Sequence, residues 1–122
     1  MRGSRGSARR PEQVAETIRQ VVADTVMREL RDPRLGFVTI TGVQVTNDLS
    51  LARVRFSVLG EEEDREKALV ALESAAGFLR SRLGKVLHLR TVPELRFEID
   101  RGIEHAARIN RLLEELKREE RD

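Results

Sequence analysis

Two of the cationic clusters in this sequence could do chemistry. Arg80, Arg82 and Lys85 fall close together with Arg90 shortly after them, and Arg53 alternates with Arg55 further upstream. All but three of the 23 basic residues are Arg. The planar fork of Arg donates paired hydrogen bonds to phosphate oxygens, so the chemistry on offer is recognition of a polyanion. The same excess also suits ion-pair networks along solvated helix faces. Covalent chemistry has few parts to work with. His88 and His105 are the only imidazoles, neither lies in a His-Glu-x-x-His spacing, and there is no Gly-x-x-x-x-Gly-Lys-Ser/Thr phosphate loop. The acidic run Glu61, Glu62, Glu63 and Asp64 lacks a calcium-loop pattern and reads as solvated surface. Without Cys there is no thiol nucleophile, disulfide or thiolate metal site. No enzymatic activity, metal or cofactor is expected.

The elements that must position these cations follow from the apolar periodicity. Leu69, Leu72, Ala76, Leu79, Leu83, Val86 and Leu87 recur at helical spacing through Ser74-Ala75-Ala76-Gly77. An unbroken helix of about 22 residues would extend about 33 Å, long for a domain whose radius of gyration should be near 14 Å. A corner is therefore expected, with the break at Gly77, the weakest helix former of the run. With Leu79, Leu83, Val86 and Leu87 as the buried stripe, Arg82 and Lys85 fall on one flank beside Phe78 and Arg80 on the other. They form a basic rim around a buried face.

Upstream, Val14, Ile18, Val21, Val22, Thr25 and Leu30 make an amphipathic helix that starts at Pro11 and stops before Asp32-Pro33-Arg34-Leu35-Gly36. Residues 37–46 are β-branched, but Val38 and Ile40 have the opposite parity to Val43 and Val45. A bulge at Thr41-Gly42 would restore one inward face. After turn chemistry at Asn47-Asp48-Leu49-Ser50, residues 51–59 alternate apolar Ala52, Val54, Phe56 and Val58 with polar Arg53, Arg55 and Ser57. The acidic run then opens the helical pair. A third strand sets Leu95, Phe97 and Ile99 against Arg96, Glu98 and Asp100. Asp100 can cap a last helix whose stripe is Ile103, Ala106, Ile109, Leu112, Leu113 and Leu116. The order α-β-β-α-α-β-α predicts an α+β domain, a three-stranded sheet covered by helices on its apolar face.

At 122 residues the chain fits one domain. Residues 1–10 read as a flexible basic arm, 11–116 as the domain and 117–122 as a charged tail that frays. Gly3-Ser4-Arg5-Gly6 matches the Gly-x-x-Gly backbone clamp of KH domains in form only, because it lies in that arm rather than between two helices. With no Tyr or Trp and only four Phe, base stacking of the RRM or OB type is not expected. No apolar run approaches the length of a membrane span and no signal-peptide core is present, so a cytoplasmic protein that avoids membranes is expected.

With these elements in place, the chain resembles the bacterial ribosome-binding factor A family. The agreement runs through Glu29-Leu30-Arg31-Asp32-Pro33-Arg34-Leu35-Gly36, Val43 to Ser50 ahead of Ala52-Arg53-Val54, and Ser74-Ala75-Ala76-Gly77-Phe78-Leu79-Arg80. It continues in Val92-Pro93-Glu94-Leu95-Arg96-Phe97 and Ile103-Glu104-His105-Ala106-Ala107-Arg108-Ile109. The resemblance implies a KH-like (type II) fold with an added C-terminal helix, in which an Ala-x-Gly kink, here Ala75-Ala76-Gly77, replaces the Gly-x-x-Gly loop. It also implies a non-catalytic assembly factor, associated with growth in the cold. Such a factor binds the small ribosomal subunit and assists late maturation of its rRNA, including the 5′-end region, with an assembly GTPase as a further candidate partner. The expected contact set is Ser74, Ala75, Ala76 and Gly77 at the kink, with Arg80, Arg82, Lys85 and Arg90 around it and Arg53 and Arg34 widening it. Two other classes remain open: a free-standing KH-like binder of single-stranded RNA, and a protein-interaction module that uses the last helix. A monomer is expected when free.

Overall fold

The computed structural model describes residues 10–121, apart from the side chains at 103–108 and 121. The basic arm, but for Arg10, and the Gly3-Ser4-Arg5-Gly6 match therefore lie outside the described residues, as does the side chain of His105. Helix α1 spans Pro11–Arg28 and opens with Pro at its first position, where the missing N–H costs nothing. A 3-10 turn at Pro33–Leu35 follows, capped by the Asp32 carboxylate. Strands β1 (Val38–Val45) and β2 (Leu51–Val58) form an antiparallel hairpin. Helices α2 (Glu62–Ser74) and α3 (Ala76–Val86) then carry the chain back so that β3 (Glu94–Ile99) lies parallel to β2. A parallel neighbour needs such a crossover. The sheet order is β1-β2-β3, and α4 (Gly102–Arg121) closes the chain. This is an α+β, KH-like arrangement with an added helix.

The hairpin register shifts between Ile40 and Gly42. Thr41 is the extra residue, and with it Ile40 and Val45 are buried on one face despite their opposed parity. The core lies between that face and the helices. Val14, Ile18 and Val22 of α1, Leu72 of α2, and Leu79 and Leu83 of α3 are fully buried with Ala52, Val54 and Phe56 of the central strand. Emptying a site such as Phe56 by substitution to Ala costs about 3–5 kcal/mol. The other face of the sheet carries Arg53, Arg55 and Arg96, all exposed.

The corner between α2 and α3 exists, but it falls at Ala75 rather than Gly77. Ala75 alone leaves helical geometry (φ −90°, ψ 0°), a bridge-region conformation open to any L residue. Two bonds explain the placement. The Ala75 amide is shared between the carbonyls of Ala71 and Leu72, both at 3.1 Å, a tightening of the last turn. The Ser74 hydroxyl donates to the Val70 carbonyl at 2.9 Å, a back-bond that bends helices. Gly77 lies one residue inside α3 with open space where a Cβ would be.

Two further expectations change. Val86, counted in the buried stripe, is about half exposed, while Leu79, Leu83 and Leu87 are buried. Helix α4 extends through the charged segment as far as Arg121, and its residues Ile109, Leu112, Leu113 and Leu116 are exposed rather than packed.

Candidate nucleic-acid interface

The expected cations divide by what already holds them. The Arg34 guanidinium grips both carboxylate oxygens of Asp32, with Nη2 to Oδ2 at 2.6 Å, and this fork holds the Asp32 carboxyl below its ordinary range. Arg82 donates to the Glu29 carboxylate, its guanidinium lies 5.1 Å from the centre of the Phe78 ring, and its Nε is buried without an acceptor. It is thus a seam between α3 and the end of α1, not a free rim. Arg80 points its Nε at the Pro93 carbonyl (3.2 Å) and its Nη2 at the Val92 carbonyl (3.0 Å). Two of its donors are spent on backbone. Arg53 lies 3.7 Å and Arg55 3.6 Å from the carboxylate of Glu98.

Lys85 and Arg90 remain. Lys85 lies exposed in the last turn of α3 and Arg90 in the connection to β3, and neither makes an ion pair among the described residues. Because Arg80 clamps Val92 and Pro93, and Pro93 is fully buried, the segment that carries Arg90 is anchored at its far end. Arg90 lines an open cleft of about 610 Å³ with His88, Leu89, Thr91 and the hairpin tip Asp48, Leu49 and Ser50. The tip is tied together by its own side chains. The Asp48 carboxylate accepts from the Ser50 hydroxyl (2.7 Å), the Thr46 hydroxyl (2.8 Å) and the Ser50 amide (3.1 Å), and these bonds, the Ser50 hydroxyl first, hold its pKa down. Leu49 follows at φ +62°, a left-handed conformation that a branched-chain residue adopts only under constraint. The Glu94 amide donates to the Ser50 carbonyl at 2.9 Å, which fixes the tip beside the start of β3.

The structure therefore separates the ten expected residues. Ser74 ends α2, Ala75 makes the corner, Ala76 and Gly77 open α3, and Arg80, Arg82 and Lys85 follow on it. Arg34 belongs to the 3-10 turn, and Arg53 lies on the sheet face away from the helices. Arg96, outside the expected set, is exposed on that same face, in register with Arg53, without an ion pair among the described residues. Strand alternation signals its side of the sheet, but only the parallel pairing brings it beside Arg53. Among the described residues no cluster of three or more His, Asp or Glu could hold a metal ion. No helix among them is long and apolar enough to cross a membrane.

Comparison with known proteins adds a family. The sequence model of ribosome-binding factor A matches residues 10–113. The chain is 46% identical over 111 residues to ribosome-binding factor A of Desulforamulus reducens, covering 91% of this chain and 92% of the relative. It is 45% identical over 114 residues to that of Staphylococcus carnosus, covering 93% and 99%. Among solved structures it is similar to crystalline ribosome-binding factor A of Thermus thermophilus, with a TM-score of 0.65 and 28% identity, covering 73% of this chain and 94% of that one. It is also similar to a homology model of the Thermus thermophilus factor fitted into a cryo-EM map of a 30S complex, with a TM-score of 0.59 and 30% identity, covering 70% and 90%.

Proposed function

The chain belongs to the ribosome-binding factor A family, and from that premise we propose that it binds the small (30S) ribosomal subunit as a monomer in the cytoplasm. There it assists late maturation of 16S rRNA, including the 5′-end region, without making or breaking bonds itself. The observation that carries this reading is the likeness to a family member fitted into a map of a 30S complex. The physical mechanism is differential binding: a rigid surface that fits one conformation of immature rRNA better than another shifts the population toward it. Within the surface, Lys85 and Arg90 are the phosphate ligands, since they are the two expected α3-side cations not spent on internal partners. Arg80 positions Arg90 by holding Val92 and Pro93.

Co-sedimentation with immature small subunits at low salt tests the proposal. Association is expected with immature subunits and should weaken as salt rises; folded protein that stays in the supernatant would overturn the reading. The runner-up, a binder of free single-stranded RNA, draws on the KH-like fold but lacks the two-glycine clamp. A gel shift with short RNA should show no complex at concentrations that saturate subunits.

A further inference from the structure

We propose that α4 is the cover of the open sheet face, folding across the end of it that Phe37 and Leu59 make apolar. These two side chains are neighbours, joined by the Leu59 amide donating to the Phe37 carbonyl at 3.2 Å, and each is 78% exposed. Both flank the inward-facing pair Val38 and Val58, so they face away from the helical layer. Met27, 80% exposed on α1, lines a hollow at the edge of β1 together with Phe37. Large apolar side chains exposed side by side are the kind of surface that docking covers. The chain carries its complement: Ile109, Leu112, Leu113 and Leu116 of α4 are all exposed along one stripe.

Chain connectivity selects α4 as the occupant. Asp100 lines the same hollow as Phe37 and Leu59, and α4 begins two residues later. Asp100 itself is fixed, by its amide on the Phe56 carbonyl (2.7 Å) and by the Thr41 hydroxyl on its carboxylate (2.7 Å). A swing is therefore confined to the residues after it. Strands spaced about 4.8 Å apart put β1 roughly 10 Å from β3. A 20-residue helix is about 30 Å long, so α4 can cross Leu59 and Phe37 and overhang β1, where Met27 lies. The charges agree at that end. Glu119 and Glu120 follow the stripe of α4, while Arg28 and Arg31 flank Met27; Arg31 has no ion pair among the described residues and Arg28 only a 4.0 Å one to Asp24. In the open arrangement the Asp100 carboxylate accepts from the Gly102 amide at 2.9 Å, and Arg101 donates to Glu62 at 2.7 Å on the surface before α4.

The natural chain has no Cys, so paired cysteines report the docked state without background. Phe37→Cys is combined with Ile109→Cys, Leu112→Cys or Leu113→Cys in the full chain, and Val70→Cys with the same partners serves as the control on the exposed side of α2. Mild oxidation should give a monomeric disulfide in at least one Phe37 pairing, about tenfold or more faster than in any control, at a rate independent of protein concentration. Adding Leu59→Asp should slow that reaction by about tenfold or more, because a buried Leu contributes that much to a docked state. Rates equal to the control, or indifferent to Leu59→Asp, would overturn the proposal. Disulfides formed only between molecules would overturn it too, by giving the surface to a second copy.

Discussion

An arginine in a basic sequence is a phosphate ligand only if nothing inside the fold claims it first. Arg34, Arg80 and Arg82 are claimed, by a carboxylate fork, two carbonyls and the Glu29–Phe78 seam respectively. Arg90→Ala and Lys85→Ala should each weaken subunit binding and reduce the slope of log affinity against log salt by about 0.7–0.9. Arg34→Ala should leave the slope unchanged, and salt titrations of the three variants check this. Glycine positions separate in the same way. Gly60 sits at φ +136° with the Asp64 carboxylate where its Cβ would be, so Gly60→Ala should destabilise by about 1–3 kcal/mol. Gly77 has neither constraint. Gly77→Ala should leave the corner intact and raise stability by up to about 1 kcal/mol, which thermal unfolding will read; a large loss would restore Gly77 as the hinge.

At the scale of elements, the corner and the strand ends are held by side chains reaching backbone. Ser74→Ala removes the back-bond to Val70, and amide exchange should report a change confined to the α2–α3 junction. Asp100 joins the β1 bulge, the end of β3 and the first amide of α4, and the Thr41 hydroxyl, followed by the Gly102 amide, holds its pKa below the ordinary aspartate value. A depressed carboxylate contributes stability that is complete above the unfolded-state pKa and is lost as pH falls through the folded one. Asp100→Asn should therefore lower Tm near neutral pH, and the gap to the natural chain should close as pH falls below the ordinary aspartate range. A gap constant across that range would remove Asp100 from the acid response.

For the whole molecule the net charge is only +2, and internal pairing consumes much of the Arg excess. Binding that relies on the few unpaired cations near α3 and on Arg96 should show a total salt slope of about −2, far from the roughly −6 or steeper of an extended basic groove. A slope of that larger size would mean that paired Arg residues release their carboxylates on binding. The helix order was legible because each element has its own period, and even the Thr41 bulge was visible as a change of parity between Ile40 and Val43. The corner was legible in kind but not in place, since its cause is a Ser74 hydroxyl bond and a shared Ala75 amide rather than a missing side chain.

The sequence by itself determined the elements, the inward faces of the strands and of α1, and the family, because periodicity and ordered local motifs are properties of neighbouring residues; Val86 and the α4 stripe, exposed in the fold, are where periodicity overreached. Only the tertiary structure decided which cations are available. Arg80 meets Val92 and Pro93, Arg82 meets Glu29, and Arg53 meets Glu98 through contacts far apart in sequence. The exposed apolar strip of Phe37, Leu59 and Met27 emerged the same way, from a strand pairing and a helix edge that no local pattern brings together.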